Sequence, residues 1–323
     1  MLLAACGESN LDVVGMVKSS SAPADVRFAQ SMLYNQEHGV DTIWVKDNAY
    51  HFYVMTDSHV DFSTNNLDQF VDDYLADSTA APFCLHLGDL INSVNHYETC
   101  FEHIARIWEG TTDTCCCNPK DSCLCRKDSC CMNDSCFCNR DTCFITPGNH
   151  DIYFGQWATY LSLFKTGSYY FVVKTPNFKD LFICLDSSDG TLGIDQRRWL
   201  EMTLAWAQSE NFRHIIAFTH THFFKIDASQ GHTSNYALEE SYELLDIFSR
   251  YGVELVLQGH DHSRSLTTFK GVEYLIVDAL EDHYYNAFYA IIDVSQAIDW
   301  RFVPVGPQDP NKNGERVPGV PHL

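Results

Sequence analysis

The chain of 323 residues lacks any run of about 18 or more apolar residues, so it offers no helix able to span a bilayer. It also lacks a cluster of Lys and Arg. Its 21 basic residues are scattered among 43 acidic ones, and the formal net charge of −22 repels a nucleic-acid backbone or an anionic membrane surface. No nucleic-acid backbone binding is therefore expected. A small anionic substrate is not excluded, because bound divalent cations dominate the field at their own site and can reverse its sign.

The N-terminus lacks most of an export signal. Leu3-Ala4-Ala5-Cys6 matches the lipobox of bacterial lipoproteins, and Gly7, Glu8, Ser9 and Asn10 suit a polar tether after it. Missing are the charged segment and most of the apolar segment that precede such a cysteine. Two expectations stay open: an exported protein, periplasmic or anchored to the membrane by a lipid on Cys6, with its leader cut short; or a chance match in a cytoplasmic one.

What is present suits a globular fold, since 45% hydrophobic and 13% aromatic residues can fill a sizeable core. Residues 1–25 read as a tether. Asp25 to His38 has the spacing of a short helix, and apolar runs then alternate with helical patterns. Tyr50 to Met55 runs into Thr56-Asp57, and Phe83 to Leu87 into Gly88-Asp89. Phe144-Ile145 runs into Pro147-Gly148, Ile215 to Phe218 into Thr219-His220, and Val253 to Leu257 into Gly259-His260. Helical spacing follows Leu67 to Leu75, Tyr97 to Trp108 and Tyr236 to Tyr251. The alternation predicts an α/β core. Leu266 to Phe269, Tyr274 to Val277, Phe288 to Ile292 and Trp300 to Val303 read as four strands with no helix between them, expected to build a second sheet. One domain is expected over 26–306, with a tail at 307–323.

Each buried run ends in Gly, Asp, Asn or His, at the edge where ligands bind in open α/β sheets. Five motifs stand there in order: Asp57-Ser58-His59, Gly88-Asp89, Gly148-Asn149-His150-Asp151, His220-Thr221-His222 and Gly259-His260-Asp261-His262. In extended backbone, residues i and i+2 share a face, which makes Asp57 with His59, and His260 with His262, chelating pairs. Imidazole nitrogen with carboxylate and amide oxygen suits Mn, Fe or Zn and needs no thiolate.

These motifs, from about Tyr50 to the C-terminal strands, resemble the calcineurin-like metallophosphoesterase superfamily. The resemblance implies a four-layer α/β/β/α sandwich of two mixed sheets flanked by helices. It also implies a phosphoesterase that hydrolyses a small phosphate ester by attack of a hydroxide bridging two divalent or trivalent metal ions. Carried over by motif, Asp57, His59 and His262 would bind the first metal, Asp89 would bridge, and Asn149, His220 and His260 would bind the second. His150 would protonate the leaving oxygen or stabilise phosphoryl charge. Asp151 joins it in the catalytic motif, more as the residue that orients the loop. His222 competes with His220 for the ligand role, with the family pattern favouring His220. His86 reads as a packed histidine. Three residues after Asp89 the purple acid phosphatase branch has Tyr and the Ser/Thr protein phosphatase branch has Asp; here that position is Asn92, a departure from both. Asn95, His96, Tyr153, Trp157 and Phe223 follow the motifs and are candidates for contacting substrate.

Ten of the 14 cysteines fall between Cys115 and Cys143, with an Asp-Ser/Thr-Cys unit recurring at Asp113, Asp121, Asp128, Asp134 and Asp141. Residues 112–142 read as an insertion carrying this repeat. Three readings compete: a disulfide-stapled loop, a tolerated surface expansion, or a soft-metal cluster. The rival to an enzyme is a metal-binding or redox-buffering protein in which this insertion is the working part.

Overall fold

The computed structural model describes residues 22–39, 41–79, 81–109, 130–132, 135–137, 142–224, 236–313 and 315–318. Cys6, nearly all of the tether, most of the cysteine-rich insertion and the last residues of the tail lie outside them. In chain order the elements are α1 (Ala24–His38), β1 (Asp41–Trp44), β2 (Tyr50–Met55), α2 (Asn65–Leu75), β3 (Phe83–His86), α3 (Tyr97–Glu109), β4 (Cys130–Met132), β5 (Ser135–Phe137), β6 (Thr142–Ile145) and α4 (Trp157–Phe164). There follow β7 (Tyr169–Lys174), β8 (Lys179–Leu185), α5 (Gly193–Glu210), β9 (Ile215–Thr219), α6 (Leu238–Arg250), β10 (Leu255–Gln258), β11 (Ser265–Phe269), β12 (Val272–Ile276), β13 (Ala287–Val294) and β14 (Ile298–Val305).

Two mixed sheets stack face to face. One has the order β14-β13-β2-β3-β6, with β2, β3 and β6 parallel; the other runs β1-β7-β8-β9-β10-β12-β11, with β8, β9, β10 and β12 parallel. Strand β2 shows why its sequence is a continuous apolar run. Phe52 and Val54 enter the layer between the sheets, whereas Tyr53 and Met55 enter the layer under the helices. A parallel strand buried on both faces has no polar side to alternate with. Between the sheets Phe52, Phe83, Phe171, Phe182 and Phe218 interlock, with Phe83 and Phe171 ring centroids 5.3 Å apart. Burying each such ring contributes roughly 1.5–3 kcal/mol. On the outer faces, α2, α3 and α4 cover one sheet through Phe70, Ile104 and Tyr160, and α5 and α6 cover the other through Leu204 and Phe248. The four layers are α/β/β/α, as the motif resemblance implies.

The second sheet is not built as expected from the C-terminal strands. Those four strands split: β11 and β12 extend the larger sheet beyond β10, while β13 and β14 join the smaller one beside β2. The rest of the larger sheet comes from β1, β7, β8, β9 and β10. Helix α1 is fastened to this sheet's site edge by Arg27, which is fully buried and pairs with Asp186 at 2.7 Å and Asp189 at 2.9 Å. Cys143, the last of the ten clustered cysteines, is a buried free thiol in β6, in register with the buried free thiol of Cys84 in β3. Residues 307–313 and 315–318 fold back along 283–286, with the Tyr285 N–H donating to the Glu315 carbonyl and the Val317 N–H to that of His283.

Candidate metal centre

Strands β2, β3 and β6 of the smaller sheet and β9 and β10 of the larger end at one edge, across the seam between the sheets. The chain leaves them in sharp turns. Asp57, His59, Asp89, His260 and His262 all have positive φ, between 40° and 73°. Asp57 with His59, and His260 with His262, thus converge through left-handed turns and not through the extended i, i+2 geometry expected from sequence. Such backbone costs on the order of 1–3 kcal/mol per non-glycine residue and clusters at functional sites. Close approach explains two motif glycines. A Cβ on Gly259 would lie 2.7 Å from Asp57 Oδ2, and one on Gly148 would lie 2.8 Å from the carboxyl carbon of Asp89.

Asp57 is fully buried. Its Oδ2 accepts from the Thr56 hydroxyl at 2.6 Å and from the His260 N–H at 2.9 Å. Its Oδ1 accepts no hydrogen bond and faces His262 Nε2 at 3.3 Å and His59 Nε2 at 3.7 Å. Asp89 accepts the His150 N–H on Oδ1 at 2.8 Å, and its Oδ2 lies 3.3 Å from His220 Nε2 and 3.7 Å from His59 Nε2. His220 donates Nδ1–H to the Leu87 carbonyl at 2.8 Å, which presents Nε2 to Asn149 Oδ1 at 3.1 Å and to His260 Nδ1 at 3.2 Å. The donor atoms form three overlapping groups: Asp57, His59 and His262; His59, Asp89 and His150; and Asp89, His220 and His260. His222 is buried with its ring 5.6 Å from that of His260, and belongs to none of these groups.

The electrostatics match a site for cations. Against the desolvation of full burial, His220, His262 and His59 hold the Asp57 carboxylate well below the usual range. Asp89 is likewise held low against its burial by His220 and His150. His220 is lifted to about 9, because Asp89 and Asp57 outweigh the burial that opposes its charge, whereas burial and the neighbouring His220 push His260 down to about 3. Ring nitrogens of His59 and His262 stand 3.1 Å apart. Two ring nitrogens this close, beside the carboxylates of Asp57 and Asp89, form a donor set that a cation held between them would satisfy. The oxygen and imidazole donors fit Mn, Fe or Zn.

His150 is placed differently from the other histidines. Its Nδ1 lies 3.4 Å from the Asn92 carbonyl, and its ring is edge-on to His59 with centroids 4.7 Å apart. Asn92, the position that departs from both branches, thus offers this histidine a backbone acceptor. Asp151 accepts the Leu90 N–H at 3.1 Å and the Gly148 N–H at 2.8 Å, tying the second and third motif loops together. His86 is fully buried between the Ser58 hydroxyl, at 2.9 Å, and the Gly88 N–H, at 3.2 Å. Of the residues proposed to meet substrate, Tyr153 lies beside His150 and His96 beside the exposed Phe62, with centroids 5.6 and 5.3 Å apart. Trp157 and Phe223 do not reach the site mouth: both are buried in the outer core layers. Sequence reasoning passed over Glu281, which is buried beside His262, and the buried pair of His283 with Asp61. The only signal was a charged triplet, Glu281-Asp282-His283, between two strands.

Compared with known proteins, residues 50–264 match the family described as calcineurin-like phosphoesterase, more than half of the chain. Serine/threonine-protein phosphatase CPPED1 of Homo sapiens is 25% identical over 149 residues, a match covering 42% of this chain and 46% of that protein. The aligned part thus spans about half the length of that relative. Among solved structures, a dimetal phosphatase from Danio rerio superposes with a TM-score of 0.55 at 12% identity, over 79% of this chain and 98% of that one. Purple acid phosphatase PPD1 from yellow lupin (Lupinus luteus) superposes with a TM-score of 0.54 at 12% identity, over 82% of this chain and 55% of that one. At these identities the superpositions speak for the fold.

Proposed function

The chain belongs to the calcineurin-like phosphoesterase family, and from that premise we propose that it hydrolyses a small phosphate ester at a centre of two metal ions. Asp57, His59 and His262 would hold one ion and Asn149, His220 and His260 the other, with Asp89 shared between the two sets. The observation that carries this reading is the overlap of the three donor groups through His59 and Asp89, gathered from five strand ends and two sheets. When bound, the two ions would supply Lewis-acid polarisation of the phosphoryl group and a water acidic enough to be deprotonated near neutral pH.

The chain's own residues do the rest. The Leu87 carbonyl takes His220 Nδ1–H, so His220 offers only Nε2. The Thr56 hydroxyl and the His260 N–H occupy one oxygen of Asp57, and the other is left for the ion. His150, with Nδ1 against the Asn92 carbonyl and its cationic form disfavoured by burial, would protonate the leaving oxygen or stabilise charge on the phosphoryl group. Asp151 keeps the His150 loop in register with the loop of Asp89 through two backbone N–H groups.

The test uses full-length protein stripped of metal and then supplied with Mn, Zn or Fe, assayed on an aryl phosphate monoester and on the matching diester. Metal-dependent turnover of at least one is expected. No turnover of either, with metal demonstrably bound, contradicts the reading.

A further inference from the structure

We propose that Glu281 is a positioning residue of the metal centre, whose carboxylate takes the Nδ1 side of His262 and so aims Nε2 at the ion shared with Asp57 and His59. The proposal rests on the dinuclear reading above and adds to it a residue outside the five motifs. Glu281 is buried, and its Oε1 lies 3.6 Å from His262 Nδ1, while Nε2 of the same ring lies 3.3 Å from Asp57 Oδ1. One ring thus stands between two carboxylates, one at each nitrogen. His220 is held in the same manner, with the Leu87 carbonyl at Nδ1 and the donors at Nε2. A carboxylate in that outer position fixes the tautomer and the ring plane and raises the basicity of the coordinating nitrogen.

The position of Glu281 is fixed from both sides. The Leu280 N–H donates to the Thr56 carbonyl at 3.0 Å, and the Asn66 side-chain amide donates to the Glu281 carbonyl at 3.0 Å. Next along the chain, Asp282 accepts the backbone N–H groups of Asn65 and Asn66 at the start of α2, at 2.8 and 2.7 Å. His283 does not divert the carboxylate. Its Nε2 is 3.0 Å from Asp61 Oδ2, whereas its Nδ1 is 3.9 Å from Glu281, so its nearer partner is Asp61. Segment 280–283 is therefore clamped to the loop that carries Asp57 and His59, with Glu281 facing His262.

The test is calorimetric titration of the metal-free full chain with Mn2+, beside thermal unfolding of the same samples. Wild type is expected to take two ions. Glu281→Ala should weaken one of them by about 10–100-fold, and Glu281→Gln, which keeps an oxygen acceptor, should recover part of that loss. In a His262→Ala background, Glu281→Ala should cost nothing further, because the ring it positions is gone. Unchanged Mn2+ affinity in Glu281→Ala, or losses that simply add to those of His262→Ala, overturns the proposal while leaving the metal centre intact. Wild type that takes up no Mn2+ overturns both readings. Should Glu281→Ala fail to fold, the same cycle is run with Glu281→Gln, where additivity is again the contrary result.

Discussion

Two histidines in adjacent motifs, His150 and His220, have different surroundings, and the proposed reading gives them different work. His220 is enclosed by donors and carboxylates, whereas His150 turns Nδ1 to a backbone carbonyl and, in the proposed reading, its other nitrogen meets substrate. His150→Ala is therefore expected to lower kcat by about 10²–10⁴-fold with the metal content unchanged, measured as metal per chain beside the rate. His220→Ala should lose metal, and His222→Ala should retain it, because only His220 sits in a converging donor group. The motif residues were legible because each stands in a short pattern at the end of an apolar run. Glu281 was not, because a short charged triplet between two strands looks like any solvated loop until the burial of Glu281 against His262 is seen.

The strand-to-loop turns are where the sequence pattern and the backbone meet. At Gly259 a Cβ would press on Asp57 and Thr56, so Gly259→Ala should destabilise the fold by about 1–3 kcal/mol and lower metal affinity together, read by denaturant unfolding and metal titration. The loop after β12 carries a second strained element. Burial lifts Asp278 to about 7, against the opposing Arg264 guanidinium at 3.3 Å. An acid whose folded pKa is raised binds protons more tightly folded than unfolded, so its contribution to stability declines as pH rises from about 4 to about 7. Asp278→Asn is accordingly expected to be the more stable protein at pH 8, by on the order of 1–4 kcal/mol, with the difference gone near pH 4. Thermal unfolding at both values checks this. Strands β2, β3, β9 and β10 were readable because burial on both faces leaves continuous apolar runs. Strands β1, β7 and β8 were not assigned from sequence. The sheet membership of β11 to β14 was misjudged, since alternation fixes which face is buried but not which sheet a hairpin joins.

At the scale of the whole molecule, the centre exists only because two sheets are stacked with five strand ends at one edge, so activity and metal binding should be lost with the fold and not with the cysteine-rich insertion. Replacing residues 112–142 by a short Gly-Ser linker is expected to leave hydrolysis and metal content unchanged; loss of bound metal with the insertion alone would favour a metal-binding role for that segment. The four-layer architecture was legible from motif order, which the fold preserves. The path of the larger sheet was not, because it depends on strands with no chemistry at their ends. The most direct measurement is hydrolysis of an aryl phosphate ester by metal-stripped wild-type protein as Mn2+ is added back, with Asp89→Ala in parallel. The account predicts no turnover before addition, a rate that rises to saturation near two ions per chain, and no recovery in Asp89→Ala. Turnover that survives stripping, or that is absent with two ions bound, would contradict it.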